Sequence, residues 1–245
     1  MRMSKTVAKA VHVLEVLADG PRGIAELSRE LGVHHSTALR MLQPLVDGGL
    51  IARGPEGRYR LGLRMVEFGQ QVLEEMDLRV IARPHLLALA ESARATAHLV
   101  QLVDDRVVYL DKIEGSSIRT WSRIGREVSL HTSAAGKAIL AAMPAEQAER
   151  LLAGHEFRRF TDRTITDPAA FRAHLREVAR DGYATDRAEF ESLVHCIGTA
   201  VPGLPAAVSI TLVRTGTDEP DPSALLDEVS ATAAAVAADL GSAIG

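Results

Sequence analysis

Apolar residues recur at spacings of three and four from the start of the chain. Val7, Ala10, Val11, Leu14 and Leu17 fall on one face of a helix that Gly20-Pro21 stops. Ile24, Leu27 and Leu31 mark a shorter second helix, ended by Gly32. Only Val33 and His34 precede a third, HHSTALRMLQPLVDGG, with Ala38, Leu39, Leu42, Leu45 and Val46 as its expected buried side. A short helix, a tight turn and a helix with a polar leading edge predict a helix-turn-helix. LIA and YRL flank the turn signal GPEG and predict a β-hairpin wing. Pro44 lies inside the third helix and predicts a kink or early weakening there, beyond its first turns.

Leu63 to Met76 returns to helical spacing (Met65, Val66, Phe68, Gly69, Val72, Leu73, Met76) and predicts a helix joining two domains, with a boundary near Asp77. IARPHLLALAESARATA then reads as a helix with Pro84 in its first turn. HLVQLVDDRVVYLDKIEG alternates and predicts a hairpin turning at Asp104-Asp105; SIRTWSRIG reads as a further strand. SAAGKAILAAM predicts a helix, FRAHLREVARDGYATD a helix ended by Gly182, and HCIGTAVPGLPAAVSITLV two strands around Gly203-Leu204-Pro205. Ser223 to Leu240 closes the chain as a helix. This order predicts an α+β second domain with an antiparallel sheet. The expected division is a winged helix-turn-helix over 1–64, a linker helix over 65–77 and a second domain over 78–245.

Composition, 47% hydrophobic and 24% charged over 245 residues, is that of an ordinary globular protein. No apolar run approaches the roughly 18 residues of a membrane span, so no membrane partner is expected. Glu15 and Asp19 interrupt the first apolar stretch, which reads as an amphipathic helix of a cytoplasmic protein rather than a signal peptide. The lone Cys196 excludes an intramolecular disulfide and fits a reducing compartment. Net charge is −4, but residues 1–64 hold ten Lys and Arg against six Asp and Glu. Phosphate binding needs a local basic surface rather than a basic whole, and the basic excess falls in the first domain.

The third helix leaves His34, His35, Ser36, Thr37 and Arg40 in its first turns, the part a recognition helix presents to the major groove. Arg40 suits a bidentate contact to guanine; Ser36, Thr37 and the histidines suit phosphates or base edges. Arg53 and Arg58 flank the wing tip, positioned for DNA backbone or minor groove. A nucleophile built from Cys196, His195 and Asp186 is disfavoured, because neighbours on a strand point to opposite faces. With no Cys-x-x-Cys or His-x-x-x-His pair, no metal is expected, and SAAGKA lacks the preceding glycine of a phosphate-binding loop. No cofactor is expected.

IAELSRELGVHHSTALRML and GRYRLGLRMVEFG, followed by LHTSAAGKAILA and DRAEFESLVHCIGTAVPG…AAVSITL, resemble the IclR family of transcription regulators over nearly the whole chain. Departures fall at Leu193, where a glycine is expected, at Gly198-Thr199 and in a short connecting turn. The resemblance implies a GAF/PAS-like effector domain that binds a small organic, carboxylic or aromatic acid, and a regulator that is not an enzyme. A homodimer or dimer of dimers on double-stranded DNA with an inverted-repeat operator is the expected assembly. By motif position, Ala134, Ala135, Asp186, Cys196, Ser209 and Thr211 would line the pocket, with Trp121 and Leu130 in its apolar wall. Backbone N–H groups at the start of the SAAGKA helix favour a carboxylate, and Ser209 and Thr211 share a strand face. Redox sensing through Cys196 and small-acid enzymology remain as alternatives.

Overall fold

The computed structural model describes residues 4–115, 122–214 and 220–244. The chain divides into two compact units, 1–75 and 76–245.

The first unit holds α1 (Lys5–Ala18), α2 (Ile24–Glu30), α3 (His35–Asp47), a hairpin of β1 (Ile51–Arg53) and β2 (Tyr59–Leu61), and α4 (Arg64–Glu74). Val13, Leu17, Leu27, Leu31, Leu42, Ile51 and Tyr59 form its core. Each such side chain contributes roughly 1.5–3 kcal/mol through removal from water. Leu39 departs from the expected buried side and stands 39% exposed; Ala38 and Leu42, four residues apart, suffice to seat the helix. Nor does Pro44 end α3 early, for the helix continues to Asp47. The ring removes one backbone donor without displacing the turn that follows, where Gly48 N–H still reaches the Pro44 carbonyl at 2.9 Å.

The second unit is a five-stranded sheet in the order β4-β3-β7-β6-β5. Its strands are β3 (Thr96–Val103), β4 (Arg106–Glu114), β5 (Ala184–Arg187), β6 (Val194–Ala200) and β7 (Ala206–Val213), and every pairing is antiparallel. One face is covered by α5 (Asp77–Ala93) and α9 (Leu226–Ile244), which pack Leu86, Leu89, Val229 and Val236 against Leu99, Ile197, Val208 and Ile210. The other carries α6 (Ala134–Ala142) and α8 (Pro168–Asp181), with Val100, Val107 and Ala207 beneath Ala135, Ala138 and Val178. The short α7 (Ala145–Leu152) joins α8 and α6 in a satellite cluster around Phe171.

Three expectations shift. The helix expected from Ile81 begins at Asp77, which places Pro84 two turns inside α5 rather than in its first turn; it is tolerated on the exposed side. The terminal helix is preceded by a 3-10 turn over Pro222–Leu225. Of the strand expected in SIRTWSRIG, residues 117–121 lie outside the described residues, and Ser122 to Gly125 form a loop and turn.

Candidate functional site

Two polar regions stand out, one in each unit. The first is the leading edge of α3. Gly32, with φ +57°, turns the chain between α2 and α3, a conformation that favours glycine. His34 precedes the helix in extended geometry and makes no side-chain cap bond. The opening N–H groups of α3 that do not bond the His34 carbonyl are thus left without a side-chain cap, as donors that suit a phosphate. His34, His35, Ser36 and Arg40 are exposed and Thr37 is half-buried.

In the wing, Gly54 N–H bonds the Arg58 carbonyl at 2.8 Å, and Gly57 takes φ +73°. The two wing arginines differ. Arg53 lies with its guanidinium 5.8 Å from the Tyr59 ring centroid. Arg58 reaches back instead: it donates to the Pro21 carbonyl at 2.7 Å and pairs with Glu26 at 3.2 Å. Glu26 in turn accepts the Gly23 N–H at 2.6 Å, a bond that holds its carboxyl below the ordinary pKa. Arg58 thus ties the wing to the start of α2. Arg60, exposed on β2, is a further basic group that sequence alone did not mark.

The second region lies on the α6 face of the sheet, where alternation aligns polar side chains in rows. Asp186, Cys196, Thr211 and Thr96 are directly opposed across β5, β6, β7 and β3. The adjoining row is Ala184, Gly198, Ser209, His98 and Lys112. A bulge at Leu110 slips the β3–β4 register between Leu99↔Asp111 and Val100↔Tyr109. It turns Asp111 toward α5, where Arg83 binds both carboxylate oxygens at 2.8 and 2.7 Å. Tyr109 and Lys112 stay on the α6 side.

A cavity of about 70 Å³ sits over these rows, lined by His98, Tyr109, Ser122, Ser133, Asp186, Phe190, Glu191, Val194, Cys196 and Thr211. Ser133 caps α6, accepting the Gly136 N–H at 3.0 Å and donating to the Ser129 carbonyl at 2.6 Å. Gly198 lets the helix start rest on the sheet: a Cβ there would lie 3.1 Å from the Ala135 nitrogen and from Ser209 Cβ. Gly136 is also required by space, since a Cβ would meet the Ser129 carbonyl at 2.9 Å.

Burial sets the chemistry of this wall. Desolvation, aided by Lys112, pushes His98 down to about 3, so its imidazole is neutral while Nε2 bonds Ser122 Oγ at 2.7 Å. Desolvation raises Asp186 to about 7, although its Oδ1 accepts the Glu189 N–H at 2.7 Å. The Cys196 thiol is raised too, by burial and then by Asp186, and lies 3.2 Å from Thr211 Oγ1. A thiol shifted upward is the reverse of an activated nucleophile or redox thiolate. His195 is buried on the opposite face, paired in register with Leu212. The loop after β5 is strapped down: Lys137, fully buried, donates to Glu189 at 2.6 Å, and Thr161 and Thr164 hydroxyls each donate at 2.7 Å to carbonyls of Ala188 and Glu189.

Asp186, Cys196 and Thr211 thus come together at the cavity. Ser209 lies one row away, and Ala134 and Ala135 are buried at the helix start beside it. Leu130 packs instead beside the clusters around Ala138 and Phe171, and Trp121 lies outside the described residues. His98, Tyr109, Phe190 and Glu191 were not marked from sequence, whereas Ser133 belongs to the helix start that was; only the period-two alternation of β3 and β4 hinted at the first two. Among the described residues, no group of three or more His, Cys, Asp or Glu side chains is placed to hold a metal ion. No described helix is long and apolar enough to cross a membrane.

A winged helix-turn-helix joined to an antiparallel α+β domain with a buried polar cavity defines a two-domain transcription regulator of the DNA-binding, ligand-sensing kind. The family model described as IclR helix-turn-helix domain matches residues 6–55, and that described as bacterial transcriptional regulator IclR C-terminal matches residues 70–238. The chain belongs to the IclR family. The HTH-type transcriptional regulator KdgR of Escherichia coli is 34% identical, over 80% of this chain and 76% of its own. The crystal structure of Thermotoga maritima IclR is similar with a TM-score of 0.76 at 30% identity, covering 96% of this chain and 98% of that one. An IclR homolog from Microbacterium hydrocarbonoxydans, complexed with 4-hydroxybenzoate, gives 0.80 at 26% identity, covering 97% and 99%.

Proposed function

We propose that this chain is a cytoplasmic regulator whose operator affinity is set by a small organic acid bound in the cavity beneath α6, and that it is not an enzyme. The observation that carries this reading is the convergence of Asp186, Cys196, Thr211, His98 and Tyr109, from five strands, on one cavity in a chain that also bears a winged helix-turn-helix. The 4-hydroxybenzoate held by the Microbacterium homolog supports an acid of this class. The raised Cys196 thiol argues for a wall residue rather than a redox sensor or nucleophile.

On the DNA side, His34, His35, Ser36, Thr37 and Arg40 read the major groove, while Arg53 contacts the backbone beside the wing. Arg58 contributes chiefly by holding the wing in place. The protein acts as a homodimer or dimer of dimers, so that paired recognition helices meet an inverted repeat. The exposed Leu63 just before α4, with Val66, Phe68 and Val72 on it, supports a homo-oligomer. The ligand acts by favouring one arrangement of the DNA-binding pair over another, since equal affinity for both shifts nothing.

The test is a thermal-shift screen of carboxylic and aromatic acids, followed by mobility-shift titration of the upstream intergenic DNA with each acid that stabilises the protein. An acid that stabilises the chain and changes DNA affinity is expected. Stabilisation by no acid, or DNA affinity indifferent to every stabilising acid, would refute the reading.

A further inference from the structure

Among the described residues, the charge on the cavity wall is of one sign. Asp186 and Glu191 reach it, and among the described residues no Lys or Arg lines it. The two lysines on this side of the sheet stand behind the wall, each paired with an acid: Lys112 with Glu114 at 2.9 Å while also donating to the Ser122 carbonyl at 3.1 Å, and Lys137 with Glu189 at 2.6 Å. Asp186 is faced by Cys196 from β6, Tyr109 from β4, Lys137 from α6, and Glu189 and Glu191 from the loop that follows it. His98, kept neutral by its burial, brings a hydrogen bond but no charge.

One carboxylate can be accommodated here. The start of α6 turns its positive end toward the wall through Ser133, and Asp186 is protonated for much of the range below about pH 7, able to donate to an incoming carboxylate. Among the described residues a second carboxylate finds no such partner. Set about 4 Å from the ionised Glu191 at an effective dielectric near 20, it loses affinity by up to roughly a thousandfold. The remaining polar groups are Thr211, Tyr109 and Ser122 hydroxyls and the His98 imidazole. These both donate and accept, which matches hydroxyls on a ligand.

From this wall we infer that the cavity is selective for monocarboxylates whose other polar groups are uncharged hydroxyls, and that it rejects dicarboxylates of the same size. The inference deepens the proposed function and rests on the cavity being the effector site.

Isothermal titration calorimetry on the full-length protein at pH 7 tests it with matched probes: 4-hydroxybenzoate against benzene-1,4-dicarboxylate, and lactate against malonate. The monocarboxylate of at least one pair is expected to bind, with its dicarboxylate partner at least about a hundredfold weaker. Glu191 is exposed at the cavity mouth, so Glu191→Lys should fold normally and narrow that gap at least about tenfold. A dicarboxylate that binds within about threefold of its monocarboxylate partner overturns the selectivity while leaving the effector site in place. If neither monocarboxylate binds at millimolar concentration the inferred selectivity falls, and if binding is unchanged in Thr211→Val the effector-site reading falls and the selectivity with it.

Discussion

The two polar regions of this chain live in different solvents. The edge of α3 from His34 to Arg40 stands in water, where each contact is worth little alone and affinity is a sum of many. The row Asp186, Cys196, Thr211 lies under a helix, where burial is the main cause that moves Asp186 up to about 7 and His98 down to about 3. The first should therefore answer to salt and hardly to the protonation of any one group. The second should answer to pH and hardly to salt.

The largest expected effect is on the exposed side. Raising salt from about 50 to 200 mM should weaken DNA binding by roughly a thousandfold, if six or so phosphates are contacted. Affinity for a bound acid should change less than about threefold over the same range, since buried charges are poorly screened. A calorimetric titration with equal salt sensitivity at both sites would erase the distinction. Next, Arg40→Ala should cost about 10- to 100-fold in operator affinity by mobility shift while leaving the acid-induced thermal shift unchanged.

The pH effect comes third and belongs to the cavity. Below about pH 7, Asp186 is protonated and can donate to the ligand carboxylate; above it, the side chain is an anion facing an anion. Acid affinity should therefore fall by up to about tenfold between pH 7 and 8, and Asp186→Asn should flatten the profile. The same shift governs stability with a definite sign. An acid whose folded pKa is raised holds a proton that the unfolded chain releases, so stability falls as pH climbs from about 4 to 7. Asp186→Asn, whose amide oxygen can still accept the Glu189 N–H, should raise the Tm by several degrees at pH 8 and by about a third as much at pH 5. A lower Tm for the variant at pH 8 would mean that the carboxylate is better paired than its burial implies. The smallest effect is expected from Arg58→Ala. It should lower the Tm slightly through loss of the tie to Pro21 and Glu26, and change DNA affinity less than Arg53→Ala does.

The same contrast explains what could be read along the chain. The α3 edge is contiguous, so helix, turn and wing were all visible from local periodicity and from Gly32, Gly48 and Gly57. What failed there was Leu39, because a three-residue and a four-residue spacing both fit an apolar face until packing selects Ala38 and Leu42. The cavity is assembled from β3, β4, β5, β6 and β7, whose adjacency is set by strand order that sequence does not display. Family motifs marked Asp186, Cys196 and Thr211, but His98 and Tyr109 sit in an ordinary-looking hairpin and needed the register and the bulge at Leu110 to reach the same wall. The strand β5 and the helix α7 were missed because each is short and weakly patterned, four and eight residues long.

The central claim, that occupancy of the cavity sets the grip of α3 on DNA, is tested most directly by fluorescence anisotropy. Labelled upstream intergenic DNA is titrated with the full-length protein, wild type and Thr211→Val, with and without an acid that stabilises the wild type. At least a fivefold change in wild-type DNA affinity on adding the acid is expected, shrinking sharply in Thr211→Val while that variant's ligand-free affinity stays the same. Equal DNA affinity with and without the acid, or a full response in Thr211→Val, would contradict it.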